Sequence, residues 1–230
     1  MALFDHVSLA ARNLYEAAFR LRAETGLGFY DGGWSPGGLG AKVFPLGAGA
    51  YLIVEGLVDP LAAANPANPT AVQFLDGVRA GDVFRGFALR AETPEALSAI
   101  AIRLNEPPPK PPGATGRLQT DGERLLSSAA PTPPRAWPRG LPIWNHFPDM
   151  PRHPSGQPVS VAPKLVRPRG VAWIEVGGDR KTMERWLDGP IAGVETRFND
   201  RSPGLYALGV RTSGGEVVIR RPPMTYPAPG

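Results

Sequence analysis

The chain has 230 residues, 42% hydrophobic and 20% charged, a balance that supports one large folded domain or two small ones without covalent staples. It contains no cysteine, which excludes disulfides and thiolate metal sites and suits a reducing cytoplasm. The net charge of +4 is scattered; its densest groups, Arg167/Arg169 and Arg220/Arg221, are too small for a nucleic-acid footprint, and no aromatic platform interleaves with them.

Met1 is followed by Ala-Leu-Phe-Asp-His, with neither the basic nor the apolar region of a signal peptide, so none is expected. No apolar run approaches the ~18 residues that span a bilayer, so a soluble protein without membrane partners is expected. The 28 glycines and 28 prolines predict many turns and little long helix.

Residues 3–10 read as a short strand. Asn13 follows as an N-cap with Glu16 three residues on, then Leu14, Ala17, Ala18 and Leu21 at helical spacing, and Gly26 as the stop. The glycine-rich 31–38 reads as a turn. Ala41–Leu46 and Ala50–Leu57 read as a hairpin, in which Tyr51, Ile53 and Glu55 share one face. A Pro-punctuated connector, 59–80, leads to a second cycle. Val83–Arg90 is strand-like, Thr93-Pro94-Glu95 opens a helix, Asp121-Gly122 turns a hairpin, and Leu141–Phe147 closes with Trp144 and His146 on one face. The Pro-rich 151–169 reads as a linker that leaves His153 in a loop. A third cycle runs over 170–222, with Asp179 as helix cap and Ser213-Gly214-Gly215 as a turn.

Laying Phe4-Asp5-His6-Val7-Ser8-Leu9 on Phe84-Arg85-Gly86-Phe87-Ala88-Leu89 keeps the hydrophobic register. The position of His6 becomes Gly86 in the second cycle and Trp173 in the third. The expected fold class is α+β, built of repeated βαβββ units. Two of them (3–58 and 83–147) make a domain over 1–150, and a third, βαβββ-like unit lies C-terminal to it.

The opening Asp5-His6 strand, the helix running to Gly26-Leu27-Gly28-Phe29, the glycines around Gly37-Gly38, and Tyr51-Leu52 running to Val58-Asp59-Pro60 resemble the glyoxalase-like domains of the vicinal oxygen chelate superfamily. That resemblance implies curved half-barrel sheets around a cup. The cup would hold one divalent ion (iron, manganese, nickel or zinc) on ligands from the first and last strands of each unit. His6 matches the first-strand position. The last-strand glutamate is replaced by Ile53, with Glu55 two residues further on the same face. Gly86 cannot ligate, and His146 lies in the last-strand region of unit two. The implied metal set is therefore His6, Glu55 and His146, with Glu55 also the candidate catalytic base, and Tyr51, Trp144, Trp34 and Phe29 lining a pocket for a small oxygen-rich molecule. Two functions follow: a metal-dependent lyase, isomerase or dioxygenase, or a metal-free small-molecule binding protein of the bleomycin-resistance kind. The resemblance leaves open whether the half-barrels pair within one chain or across a homodimer. No glycine-serine elbow, phosphate loop, dinucleotide fingerprint or His-Glu-x-x-His is present.

Overall fold

The structure, a computed structural model, describes residues 1–35, 37–61, 69–111, 117–163 and 166–226. The first strand, β1 (Leu3–Ala11), runs into α1 (Leu14–Thr25) through Asn13, whose side chain accepts the Glu16 N–H at 3.1 Å. Leu14, Ala17, Ala18 and Leu21 give the helix one buried face, and Gly26 ends it at φ 73°, its N–H bonded to the Arg22 carbonyl. Next comes a strand that hydrophobic alternation does not reveal, β2 (Tyr30–Trp34), in the stretch expected to be a turn. Two of its five residues, Gly32 and Gly33, have no side chain to alternate. A Cβ on Gly32 would sit 2.7 Å from Val43, so the strand is glycine-rich because it lies tight on its neighbour. The strands β3 (Leu39–Gly47) and β4 (Ala50–Leu57) complete the unit, with β1 parallel to β4.

The second unit comprises β5 (Val83–Arg90), α3 (Pro94–Arg103), β6 (Arg117–Leu118), β7 (Arg124–Leu125), β8 (Ser128–Ala130) and β9 (Ile143–His146), preceded by α2 (Pro69–Gly77). A short α4 (Pro133–Ala136) and a following single turn set Trp137 in place. All nine strands form one sheet in the order β7-β6-β2-β3-β4-β1-β5-β9-β8, in which the opening strands of the two units, β1 and β5, lie side by side and antiparallel. The β6–β7 hairpin does not stay with its own unit; it joins the far edge through Trp34 and Leu118. A flat sheet of nine strands would hold its edges ~38 Å apart. Here Leu125 on one edge strand and Ser128 on the other line the same cleft, so the sheet is curled almost into a barrel.

The third unit has β10 (Pro168–Gly177), α5 (Arg180–Leu187), β11 (Glu195–Phe198), β12 (Gly204–Thr212) and β13 (Gly215–Arg220) in a separate sheet ordered β11-β10-β12-β13. It keeps the order of elements but not the pairing. The parallel neighbour of β10 is the first strand after the helix, whereas that of β1 is the last strand of its unit. One feature recurs in all three opening strands. Register slips by one residue at Asp5, at Arg85 and at Ala172, the same position of the six-residue motif each time. These bulges turn the extra residue out of the alternation.

The main core lies on the convex side of the large sheet, where Val7, Leu9, Phe44, Leu52, Phe87 and Leu89 meet α1, α3 and the inner face of the third unit, including Ile174 and Leu208. The concave side carries a smaller cluster of Tyr30, Ala41, Val43, Tyr51 and Ile53. The segment after β9 folds back over that side: Phe29 and Val161 exchange backbone hydrogen bonds, and the Tyr30 hydroxyl donates to the Pro154 carbonyl at 3.0 Å. Among the described residues, no helix is long and apolar enough to cross a membrane.

Candidate functional site

The concave face opens as a cleft of about 430 Å³, within the range of small-molecule sites. Its floor is the β1–β4 pair, where parallel register sets His6 beside Tyr51 and Ser8 beside Ile53, with Glu55 beyond. The His6 and Tyr51 rings stack at 4.8 Å. Trp137, Asn145, Phe147 and Ser128 also line the cleft, as do the cations Arg85, Arg117 and Lys110.

Two charge clusters organise this floor. In the first, the bulge at Asp5 brings its carboxylate beside the ring of its neighbour: His6 Nδ1 lies 2.7 Å from one oxygen and His153 Nε2 lies 2.9 Å from the other. Asp5 is fully buried, and His153 is also bonded through Nδ1 to the Ser155 hydroxyl at 2.8 Å. Burial alone would push the Asp5 carboxyl up, but hydrogen bonds from His153 and His6, with their charge, hold it below its ordinary value. An ionised Asp5 accepts N–H from both rings, so its carboxylate fixes the orientation of His6 through Nδ1.

In the second cluster, Glu55 accepts from the Ser8 hydroxyl at 2.7 Å, from Arg85 at 2.6 Å and from Arg117 at 3.2 Å. Burial works against its ionisation, yet the two guanidinium charges and the Ser8 hydrogen bond bring its pKa down to about 2. Arg85 comes from the β5 bulge and Arg117 from the β6 edge; only the curl of the sheet brings both to β4. Burial, first, and the Asp5 charge push the Tyr51 phenol well above its usual range, so it stays neutral.

Of the residues expected to form the site, His6, Glu55 and Tyr51 line the cleft. His146 does not: its Nδ1 faces the Ala91 carbonyl at 3.2 Å, behind the sheet. Trp144 shares that face, buried in the convex core with the Arg103 guanidinium 5.8 Å from its ring. The two do share a face, as expected, but strand alternation gives the cup Ile143 and Asn145 instead. Phe29 packs against Phe19 and Phe44 under α1, and Trp34 is 47% exposed on β2, paired with Leu118 of β6. Sequence reasoning passed over Arg85, Arg117, Trp137, Asn145 and His153. Arg85 had a signal, since it aligns with Asp5 in the internal repeat; Arg117 had none.

The fold now has an independent counterpart: residues 4–154 match the family described as "Glyoxalase-like domain". The chain belongs to that family. Among solved structures, the glyoxalase-like chain is similar to a hypothetical protein from Staphylococcus aureus, at 11% identity over 88% of each chain with a TM-score of 0.61. It is also similar to methylmalonyl-CoA epimerase from Mycobacterium tuberculosis, at 15% identity over 63% of this chain and 85% of that one, TM-score 0.39. A Streptomyces coelicolor methylmalonyl-CoA epimerase in complex with 2-nitronate-propionyl-CoA matches at 14% identity over 64% and 93%, TM-score 0.39. No curated protein matches. At these identities the likeness is one of fold.

The side chains of this glyoxalase-like domain do not fit the His6, Glu55 and His146 metal set. Among the described residues, no group of three or more His, Cys, Asp or Glu is placed to hold an ion. Glu55 stands four residues beyond the register partner of His6, ~13 Å along β4, and its oxygens are taken by Ser8 and two arginines. The second-unit position is not vacant either. The Trp137 indole lies over Gly86, where an added Cβ would come within 2.4 Å of the ring. Gly86→Ala is therefore expected to destabilise the fold by about 1–3 kcal/mol through overpacking, read as a lowered urea midpoint at unchanged slope.

Proposed function

We propose that this glyoxalase-like domain binds a small organic molecule in the cup through its own side chains, without a bridging metal ion. The observation that carries this reading is the Ser8–Glu55–Arg85–Arg117 cluster, which uses the one cup-floor carboxylate expected to ligate and sets two cations where a divalent ion would be repelled. The aromatic surfaces of Tyr51, Trp137 and Phe147 and the polar groups of Asn145 and Ser128 supply what such a molecule needs for stacking and orientation. The lack of cysteine supports a cytoplasmic setting.

A second reading, catalysis, is favoured by one observation: buried Asp5, 2.7 Å from His6 Nδ1, orients an imidazole at the cleft, the arrangement of an oriented acid–base group. In that reading His6 takes the role that the sequence offered to Glu55, because a carboxyl with a pKa of about 2 makes a poor proton acceptor near neutral pH.

Elemental analysis of protein purified without a histidine tag tests the metal-free reading. The expected result is far less than one first-row metal per chain, unchanged in His6→Ala. A near-stoichiometric metal that disappears in His6→Ala would sink it.

A further inference from the structure

We infer that the cup selects an organic anion, a carboxylate or phosphate monoester on a planar apolar body, and that Arg117 and Lys110 grip the anionic group. This deepens the binding reading above and rests on it. The charges lining the cleft do not balance: Arg85, Arg117 and Lys110 face it, against Glu55 alone. Glu55 has a pKa of about 2 and stays ionised throughout the neutral range, so it neutralises one of the three and no more. A concave, partly enclosed surface focuses that excess and raises the local concentration of anions.

The three cations are not held alike. Arg85 is locked: it bonds Glu55 at 2.6 Å, and its guanidinium lies 5.2 Å from the Trp137 ring and 5.7 Å from that of Phe74. Arg117 touches Glu55 through one nitrogen at 3.2 Å, leaving the rest of its donor fork for a second oxyanion. It is carried by the β6–β7 hairpin, which joins β2 through Trp34 and Leu118 and is tied further by Gln119 to the Gly32 carbonyl and by Arg152 to Asp121. Lys110 is exposed at the mouth, as expected of a group that meets an anion on entry. In the same cleft, Trp137, Tyr51 and Phe147 offer flat apolar surface, and Asn145 and Ser128 offer hydrogen bonds.

The test is titration calorimetry of the full chain with benzoate, phenyl phosphate and the uncharged benzamide at low and high salt. At least one anion is expected to bind about tenfold more tightly than benzamide, less so in high salt, and the tighter of the two names the preferred oxyanion. Arg117→Gln should cost that anion about tenfold, with thermal unfolding run alongside to show an intact fold. Lys110→Gln, at an exposed position, should cost about two- to threefold at low salt. If benzamide binds as well as both anions, the charge selection fails and the binding cup stands. If none of the three binds, both fail. Anion binding unchanged in both variants would also overturn the assignment.

Discussion

Asp5→Ala is expected to cost about 2–6 kcal/mol of folding stability, the scale of leaving two buried donors without their acceptor at about 1–3 kcal/mol each. The loss is large because one carboxylate serves two rings: without it, His6 Nδ1 and the 2%-exposed His153 lose their partner together. Asp5→Asn keeps the shape and one acceptor, so about 1–3 kcal/mol is expected. The pH dependence follows from the lowered native pKa of Asp5. A carboxyl depressed by folding contributes stability that is present above its unfolded pKa of about 3.9 and lost as pH falls through the native value. Urea unfolding at pH 7 and again near pH 3 should show the gap between wild type and Asp5→Asn narrowing in acid. An equal gap at both would mean Asp5 is not ionised in the fold.

Glu55→Ala should be about as damaging, at about 3–5 kcal/mol. It leaves Arg85, with only 16% of its side chain exposed, facing Arg117 with no anion between them, and leaves the Ser8 hydroxyl without its acceptor. A drop from the ordinary glutamate value of 4.5 to about 2 corresponds to about 3 kcal/mol, fully present above pH 4.5 and lost as pH falls toward 2. Pairing Glu55→Leu with Arg85→Met removes both buried charges and should recover much of the stability, because the cost lies in the unpaired cation rather than in the absent bridge. A double variant no more stable than Glu55→Ala would show that the cluster contributes by packing alone.

The two clusters differ in how far they could be read in advance. Asp5 and His6 are adjacent in the chain, and the repeat gave His6 its place at the opening strand; the bulge that turns Asp5 toward the same side has no local signature. Glu55 fell on the cup face by alternation from Tyr51. His146 and Trp144 were paired on one face for the same sound reason, but alternation cannot say which of two faces is concave. That choice is made by register with β5, which turns Ile143 and Asn145 inward. Arg117 lies 62 residues from its partner on a strand of two residues, beyond the reach of any periodic pattern.

Helix boundaries were thus set by the sequence itself. Caps at Asn13, Thr93 and Asp179 and the stop at Gly26 act locally, and each holds in the fold. Tertiary structure alone decided the chemistry of the cup. The curl of the sheet joins Arg117 to Glu55, the chain's return after β9 sets His153 against Asp5, and the indole of Trp137 packs on Gly86. Hydrophobic period specifies which residues are buried; long-range register and closure specify which buried charges meet, and those are properties of the whole chain.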